Sequence, residues 1–112
     1  MNFDLTDDEK LIRDTAREFA QKELKPIAAQ IDKDHKIPEE IVAKMGELGL
    51  LGTYVPEEYG GAGTSFMAYV LVVEEISKVC ASSGVMISAH TSLCINPILA
   101  FGTEEQKKKY LP

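Results

Sequence analysis

Residues 82–102 contain no Asp, Glu, Lys or Arg, although 27% of the chain's 112 residues are charged. An uncharged stretch of this length, bounded by Gly84 and Gly102, predicts a helix that is buried on most sides. Its length alone would suit a membrane span. It also carries several Ser and Thr residues, an Asn, a His and a Pro, which are too many polar groups for lipid. We therefore expect the central helix of a soluble bundle and no membrane span.

The predicted central helix has one apolar face whose side chains differ in size. That face carries Met86, Ala89, His90, Leu93, Pro97 and Ala100. Pro97 removes the amide that would bond Leu93, so a kink is predicted there. An uneven apolar face beside a kink is suited to lining a cavity, and it is also typical of ordinary core packing.

Helical signals recur along the rest of the chain. Capping boxes are predicted where Thr6 is followed by Glu9 and where Thr103 is followed by Gln106. Pro26 interrupts the first apolar repeat, so a kink or break is expected near Lys25. Every element is helical by pattern, which predicts an all-α fold, a bundle of five to six helices that forms a single domain over residues 1–112.

The charge and the cysteines restrict the classes of partner. A net charge of −6 and a pI near 4.9 argue against nucleic acid as a main partner. No targeting segment is seen, because acidic residues occupy the start of the chain. Cys80 and Cys94 lie in apolar surroundings and form no CxxC pattern, so we predict free, buried thiols in a cytoplasmic or mitochondrial-matrix protein.

The residues themselves predict no catalytic site and no metal site. Ser92 and His90 lie two apart on one helix and therefore point in different directions. The glycines of residues 60–63 lack the Lys of a phosphate-binding loop, and we expect them to provide the positive φ of a sharp turn. Any chemistry would have to come from other residues or from a bound cofactor.

Several segments, in this order and spacing, resemble one family along the whole chain. They are LTDDE (5–9), EFA (18–20), ELKPIA (23–28), LGLLG (48–52), VPEEYGGAG (55–63), VEEISK (73–78), SAHTSLC (88–94) and FGTEEQKKKYLP (101–112). Together they resemble the N-terminal helical domain of the acyl-CoA dehydrogenases, and the central segment is most similar to short-chain, butyryl-CoA-type members.

The resemblance implies a fragment of a longer three-domain flavoprotein that works in fatty acid metabolism. In the family, a carboxylate removes the α-proton of an acyl-CoA, FAD accepts a hydride from Cβ, and an electron-transferring flavoprotein takes the electrons. The resemblance also implies a homotetramer. The catalytic carboxylate and most FAD contacts belong to the other domains, so the 112-residue chain alone is predicted to be inactive.

The resemblance assigns one wall of the acyl pocket to the central helix. The face that periodicity singles out contributes Met86, Ala89, His90 and Leu93 as the candidate substrate-binding residues. Two alternatives stay open on the sequence. One is a free-standing helical module that binds an acyl chain or a partner helix without catalysis. The other is a different branch of the same superfamily, such as an acyl-CoA oxidase.

Overall fold

The computed structural model describes all 112 residues and contains only helices and connections. Its helices are α1 (Asp7–Phe19), α2 (Ala28–Asp34), α3 (Glu39–Glu47), α4 (Phe66–Ser77), α5 (Ala81–Ala89), α6 (Asn96–Phe101) and α7 (Glu104–Tyr110). Because α5 and α6 belong to one continuous helix, Ala81–Phe101, the chain has six separate helices. The predicted all-α fold and the predicted number of helices are confirmed.

The helix starts follow the predicted capping chemistry. Thr6 Oγ1 accepts a hydrogen bond from the Glu9 amide at 3.2 Å, and the Glu9 carboxylate accepts one from the Thr6 amide at 2.9 Å. Thr103 and Gln106 repeat this reciprocal pair at the start of α7. Ser65 Oγ caps α4 by accepting from the Ala68 amide at 3.1 Å. These short-range bonds satisfy amides that have no partner within the helix.

Both prolines that interrupt a helical pattern follow a π-helical turn. One turn, Ala20–Leu24, extends α1 and ends with the Lys25 amide bonded to the Ala20 carbonyl at 2.9 Å. The other, His90–Ile95, joins α5 to α6 and ends with the Asn96 amide bonded to the Thr91 carbonyl. Each proline therefore arrives where the helix is already widened, which relieves the clash between its ring and the preceding turn. The break predicted near Lys25 is confirmed, whereas the kink predicted at Pro97 stays a prediction.

One main core holds the bundle together, with a small second cluster beside it. Its buried side chains come from α1 and its π turn, from α2 to α5, and from the connections between them. They are Ala16, Phe19, Ala20, Leu24, Ile31, Ile41, Met45, Leu50, Val72, Ile76, Cys80 and Ile87. The second cluster joins Val55, Tyr59 and Ile95.

A hydrogen bond links the second cluster to the last helix. The Tyr59 hydroxyl donates to the Glu104 carboxylate, at the start of α7, at 2.7 Å. This bond raises the pKa of Tyr59 to about 12.

The prediction that residues 82–102 are buried on most sides is wrong. Only 22% of the most apolar window of the Ala81–Phe101 helix is buried. Val85 is 68% exposed and Leu93 is 75% exposed. The core-facing residues are Ser83, Ile87, Thr91 and Ile95, which recur every four residues.

Two further predictions concern the same part of the chain. By length and composition the helix would be able to cross a bilayer, so the absence of a membrane span stays a prediction. Cys80 is buried as predicted, whereas Cys94 is exposed, so its predicted burial is wrong.

A buried carboxylate links α1 to α4. Glu75 is 5% exposed and accepts two bonds from the Arg17 guanidinium, at 3.1 and 3.0 Å. Lys78 donates a third bond at 3.0 Å. The hydrogen bonds from Arg17 lower the pKa of Glu75 and outweigh the opposing effect of burial. No sequence pattern predicted this pair, because its residues lie 58 positions apart.

Glu75→Gln should destabilise the fold by about 1–3 kcal/mol, because it leaves the Arg17 and Lys78 charges without their carboxylate. Since the pKa of Glu75 is lowered in the folded state, its stabilisation is present above the ordinary carboxyl range and is lost as pH falls through the folded pKa. The variant should therefore lose less stability on acidification than the wild type. Urea denaturation at several pH values measures both effects. Glu74→Gln, at the exposed neighbour, is the control and should change stability by less than about 0.5 kcal/mol.

Candidate functional site

The outward side of the Ala81–Phe101 helix carries an apolar stripe. Val85, Ala89 and Leu93 recur every four residues and therefore share one side of the helix. Val85 and Leu93 are exposed and Ala89 is partly exposed. No charged residue interrupts this side, so the helix presents apolar surface to whatever lies against it. Soluble proteins rarely leave such surface uncovered.

The four predicted site residues do not share a single surface. Ala89 and Leu93 belong to the outward stripe. Met86 is partly buried and packs against the main core. His90 lines an open cleft with Cys94 and Ile98. Helical periodicity therefore placed two of the four on one surface and left out Val85, which extends the stripe by one turn. The same four-residue spacing would have identified Val85.

The open cleft has a volume of about 560 Å³ and lies beside the π turn. Its walls are the end of α3 with the loop that follows it, the loop of residues 60–63 (the glycine loop), and the final residues Tyr110, Leu111 and Pro112. His90 and Cys94 are its reactive side chains. Neither is held by a hydrogen bond to an acidic side chain, so the cleft lacks the oriented base of a nucleophilic site.

The glycine loop does not form a phosphate cradle. The amides of Gly60, Gly61, Ala62 and Gly63 all donate to backbone carbonyls, at 2.9 to 3.2 Å. Gly60 and Gly63 adopt positive φ values of 86° and 64°, as predicted for a sharp turn. With its amides used in this way, the loop has no donors left for the pyrophosphate of a flavin nucleotide. The residues of this loop therefore do not fit FAD.

Three aromatic rings stand beside the π turn. The Tyr54 and Tyr69 rings meet edge to face, with centroids 5.7 Å apart, and Phe66 lies 5.2 Å from Tyr69. The Tyr69 hydroxyl donates to the Ser88 carbonyl at 3.2 Å, and the Tyr54 hydroxyl donates to the Thr91 carbonyl at 3.3 Å. Burial raises the pKa of Tyr54, so this phenol remains a donor at neutral pH. The sequence analysis missed both bonds, although a tyrosine on a buried helical face usually needs a polar partner.

Comparison with known proteins identifies the domain. Residues 6–112 match the family described as acyl-CoA dehydrogenase, N-terminal domain. This chain belongs to that family. It is 53% identical to a short-chain specific acyl-CoA dehydrogenase of Clostridium acetobutylicum, over 99% of the chain and 29% of the relative. It is 52% identical to the mitochondrial short-chain specific enzyme of Bos taurus, over 96% of the chain and 26% of the relative.

Solved structures share the fold as well as the sequence. A butyryl-CoA dehydrogenase structure from Megasphaera elsdenii matches with a TM-score of 0.93 and 38% identity, over 99% of this chain and 30% of that one. A structure described as electron transferring flavoprotein of Acidaminococcus fermentans matches with a TM-score of 0.95 and 50% identity, over 99% of this chain and 29% of that one. The chain thus corresponds to the N-terminal domain of acyl-CoA dehydrogenases and spans under a third of each of these relatives.

Gly61→Ala should distort the glycine loop and the cleft that it borders. An added Cβ would lie 2.1 Å from the Val55 carbonyl oxygen, so the backbone itself would have to move. We expect a loss of about 1–3 kcal/mol in the free energy of unfolding. Gly46→Ala is the control, because its added Cβ would find its nearest neighbour at 3.7 Å, and a helical alanine should stabilise by up to about 1 kcal/mol. Equal behaviour of the two variants in urea denaturation would contradict this account of the loop.

Proposed function

We propose that this domain belongs to a longer, three-domain enzyme that dehydrogenates a short-chain acyl-CoA between Cα and Cβ with FAD. The similarity to short-chain acyl-CoA dehydrogenases over nearly the whole chain supports the reaction class. The observation that carries the role of this domain is the exposed, uncharged side of the Ala81–Phe101 helix. A surface of this kind is suited to covering an acyl chain and excluding water from it.

Within the proposed enzyme, Ala89 and Leu93 form one wall of the acyl pocket. Met86 supports the wall from the core side, because its side chain packs against the main core. His90 borders the pocket from the flank that faces the cleft. These side chains bind and orient the acyl chain, and none of them transfers a proton. We place FAD and the catalytic carboxylate in the other domains, and the glycine loop supports this for the cofactor, because its amides are all bonded to backbone carbonyls.

The partners follow from the same proposal. The enzyme passes electrons to an electron-transferring flavoprotein and assembles as a homotetramer. Its relatives include bacterial and mitochondrial enzymes, and we place this one in the bacterial cytoplasm or, in a eukaryote, in the mitochondrial matrix.

Shortening Leu93 should lengthen the acyl chain that the enzyme accepts. In the full-length protein, Leu93→Ala or Met86→Ala should raise kcat/KM for octanoyl-CoA relative to butyryl-CoA by roughly tenfold, because a few methylene groups in an apolar pocket change binding by about 1–3 kcal/mol. Flavin bleaching and steady-state rates across a series of acyl-CoA substrates measure the profile. Phe101→Ala serves as the control, since Phe101 is exposed on the same helix and lies outside the proposed wall.

An unchanged chain-length profile in both the Leu93 and Met86 variants would exclude the pocket assignment. A full-length protein that acyl-CoA does not reduce would exclude the reaction itself and would favour a helical module that binds without catalysis.

A further inference from the structure

The widened turn at His90–Ile95 is held by side-chain hydroxyl groups from other parts of the chain. Tyr69 comes from α4 and bonds the Ser88 carbonyl, at 3.2 Å, as well as approaching Ser88 Oγ at the same distance. Tyr54 comes from the loop before the glycine turn and bonds the Thr91 carbonyl at 3.3 Å. The two bonded carbonyls bracket the point where the α-helix becomes a π turn.

Local hydroxyls add to this arrangement from within the helix. Ser92 Oγ donates to the same Ser88 carbonyl at 2.6 Å, and the Thr91 hydroxyl donates to the Leu51 carbonyl at 3.4 Å. A π turn lacks the regular four-residue hydrogen bonds of an α-helix, and Pro97 supplies no amide beyond it. Extra donors that reach the carbonyls at this point therefore stabilise the wide turn against reversion to a regular one.

The width of this turn determines which side chains face outward beyond it. A π turn contains one extra residue relative to an α turn, so a return to regular helix would rotate the following side chains by roughly 100° relative to the preceding ones. Ala89 is the last residue before the turn, and Leu93 lies within it. The width of the turn therefore sets the direction in which Leu93 points relative to Ala89.

We propose that Tyr54 and Tyr69 are positioning residues for substrate chain length, acting through the π turn to fix the direction of Leu93 relative to Ala89. This inference rests on the proposed function, because it assumes that these two residues border the acyl chain. The tyrosine hydroxyls bond the helix at Ser88 and Thr91, and they act through the backbone without contacting the acyl group.

The test uses the full-length protein with Tyr54→Phe and Tyr69→Phe combined, which keeps both rings and removes both hydroxyls. Hydrogen–deuterium exchange of peptides that cover residues 86–98 should accelerate by about tenfold, as expected for the loss of hydrogen bonds that each contribute about 1 kcal/mol. The ratio of kcat/KM for butyryl-CoA to kcat/KM for octanoyl-CoA should change by about fivefold. The change should arise mainly in KM, because no reacting group has been altered.

Tyr59→Phe is the matched control. It also removes a tyrosine hydroxyl that forms a hydrogen bond, but that bond leads to Glu104 and not to the π turn. The control should lower stability and leave the substrate ratio unchanged. Equal shifts in the ratio for the control and the double variant would reduce the tyrosines to a structural role and overturn the inference.

The remaining outcomes separate the two claims. An unchanged ratio in the double variant, with a wild type that dehydrogenates butyryl-CoA, overturns the positioning role and leaves the proposed function standing. Unchanged exchange in residues 86–98 overturns the hydroxyl support of the turn. A wild-type protein that no acyl-CoA reduces overturns the proposed function and this inference with it.

Discussion

Pro97 lies inside the longest helix of the domain, and the missing amide of this residue is the constraint on which the arrangement of that helix depends. A proline in a regular helical interior removes one hydrogen bond and crowds a carbonyl, at a cost of about 3 kcal/mol. Here a π turn precedes the proline, and the hydroxyls of Tyr54 and Tyr69 donate hydrogen bonds to the carbonyls of Thr91 and Ser88. The helix therefore continues to Phe101 and offers one long surface instead of two short ones.

The helix packs into the domain on one side only. Ser83, Ile87 and Thr91 face the core, while Val85 and Leu93 remain exposed. A surface without charge that stays outside its own core is better suited to an interface than to water. The membership of the chain in the acyl-CoA dehydrogenase family fits this division, because the chain spans under a third of its relatives. The amides of the glycine loop are all bonded to backbone carbonyls, so this loop offers no donor to a flavin phosphate.

Local chemistry was predictable from the sequence, and long-range chemistry was not. Thr6 and Thr103 cap their helices as predicted, because a capping box involves residues only three apart. The Arg17–Glu75 pair joins residues 58 apart, and no short-range pattern reports it. The absence of charge in residues 82–102 was interpreted as burial within the domain. Apolar composition shows that water is disfavoured, but it does not show whether the covering partner is the same domain, so Leu93 turned out to be exposed. The two prolines indicated helix defects but not their π geometry, and the bonds from Tyr54 and Tyr69 to the turn before Pro97 join residues far apart in the sequence.

The central claim is that the outward side of the Ala81–Phe101 helix is an exposed apolar surface that a partner covers. The most direct measurement is the fluorescence of a hydrophobic dye with the isolated 112-residue domain, compared with a Val85→Ser, Leu93→Ser variant. The account predicts strong dye binding by the wild-type domain and a marked loss of binding in the variant, because the two replaced side chains are 68% and 75% exposed. A wild-type domain that is a monodisperse monomer and binds no dye would contradict it.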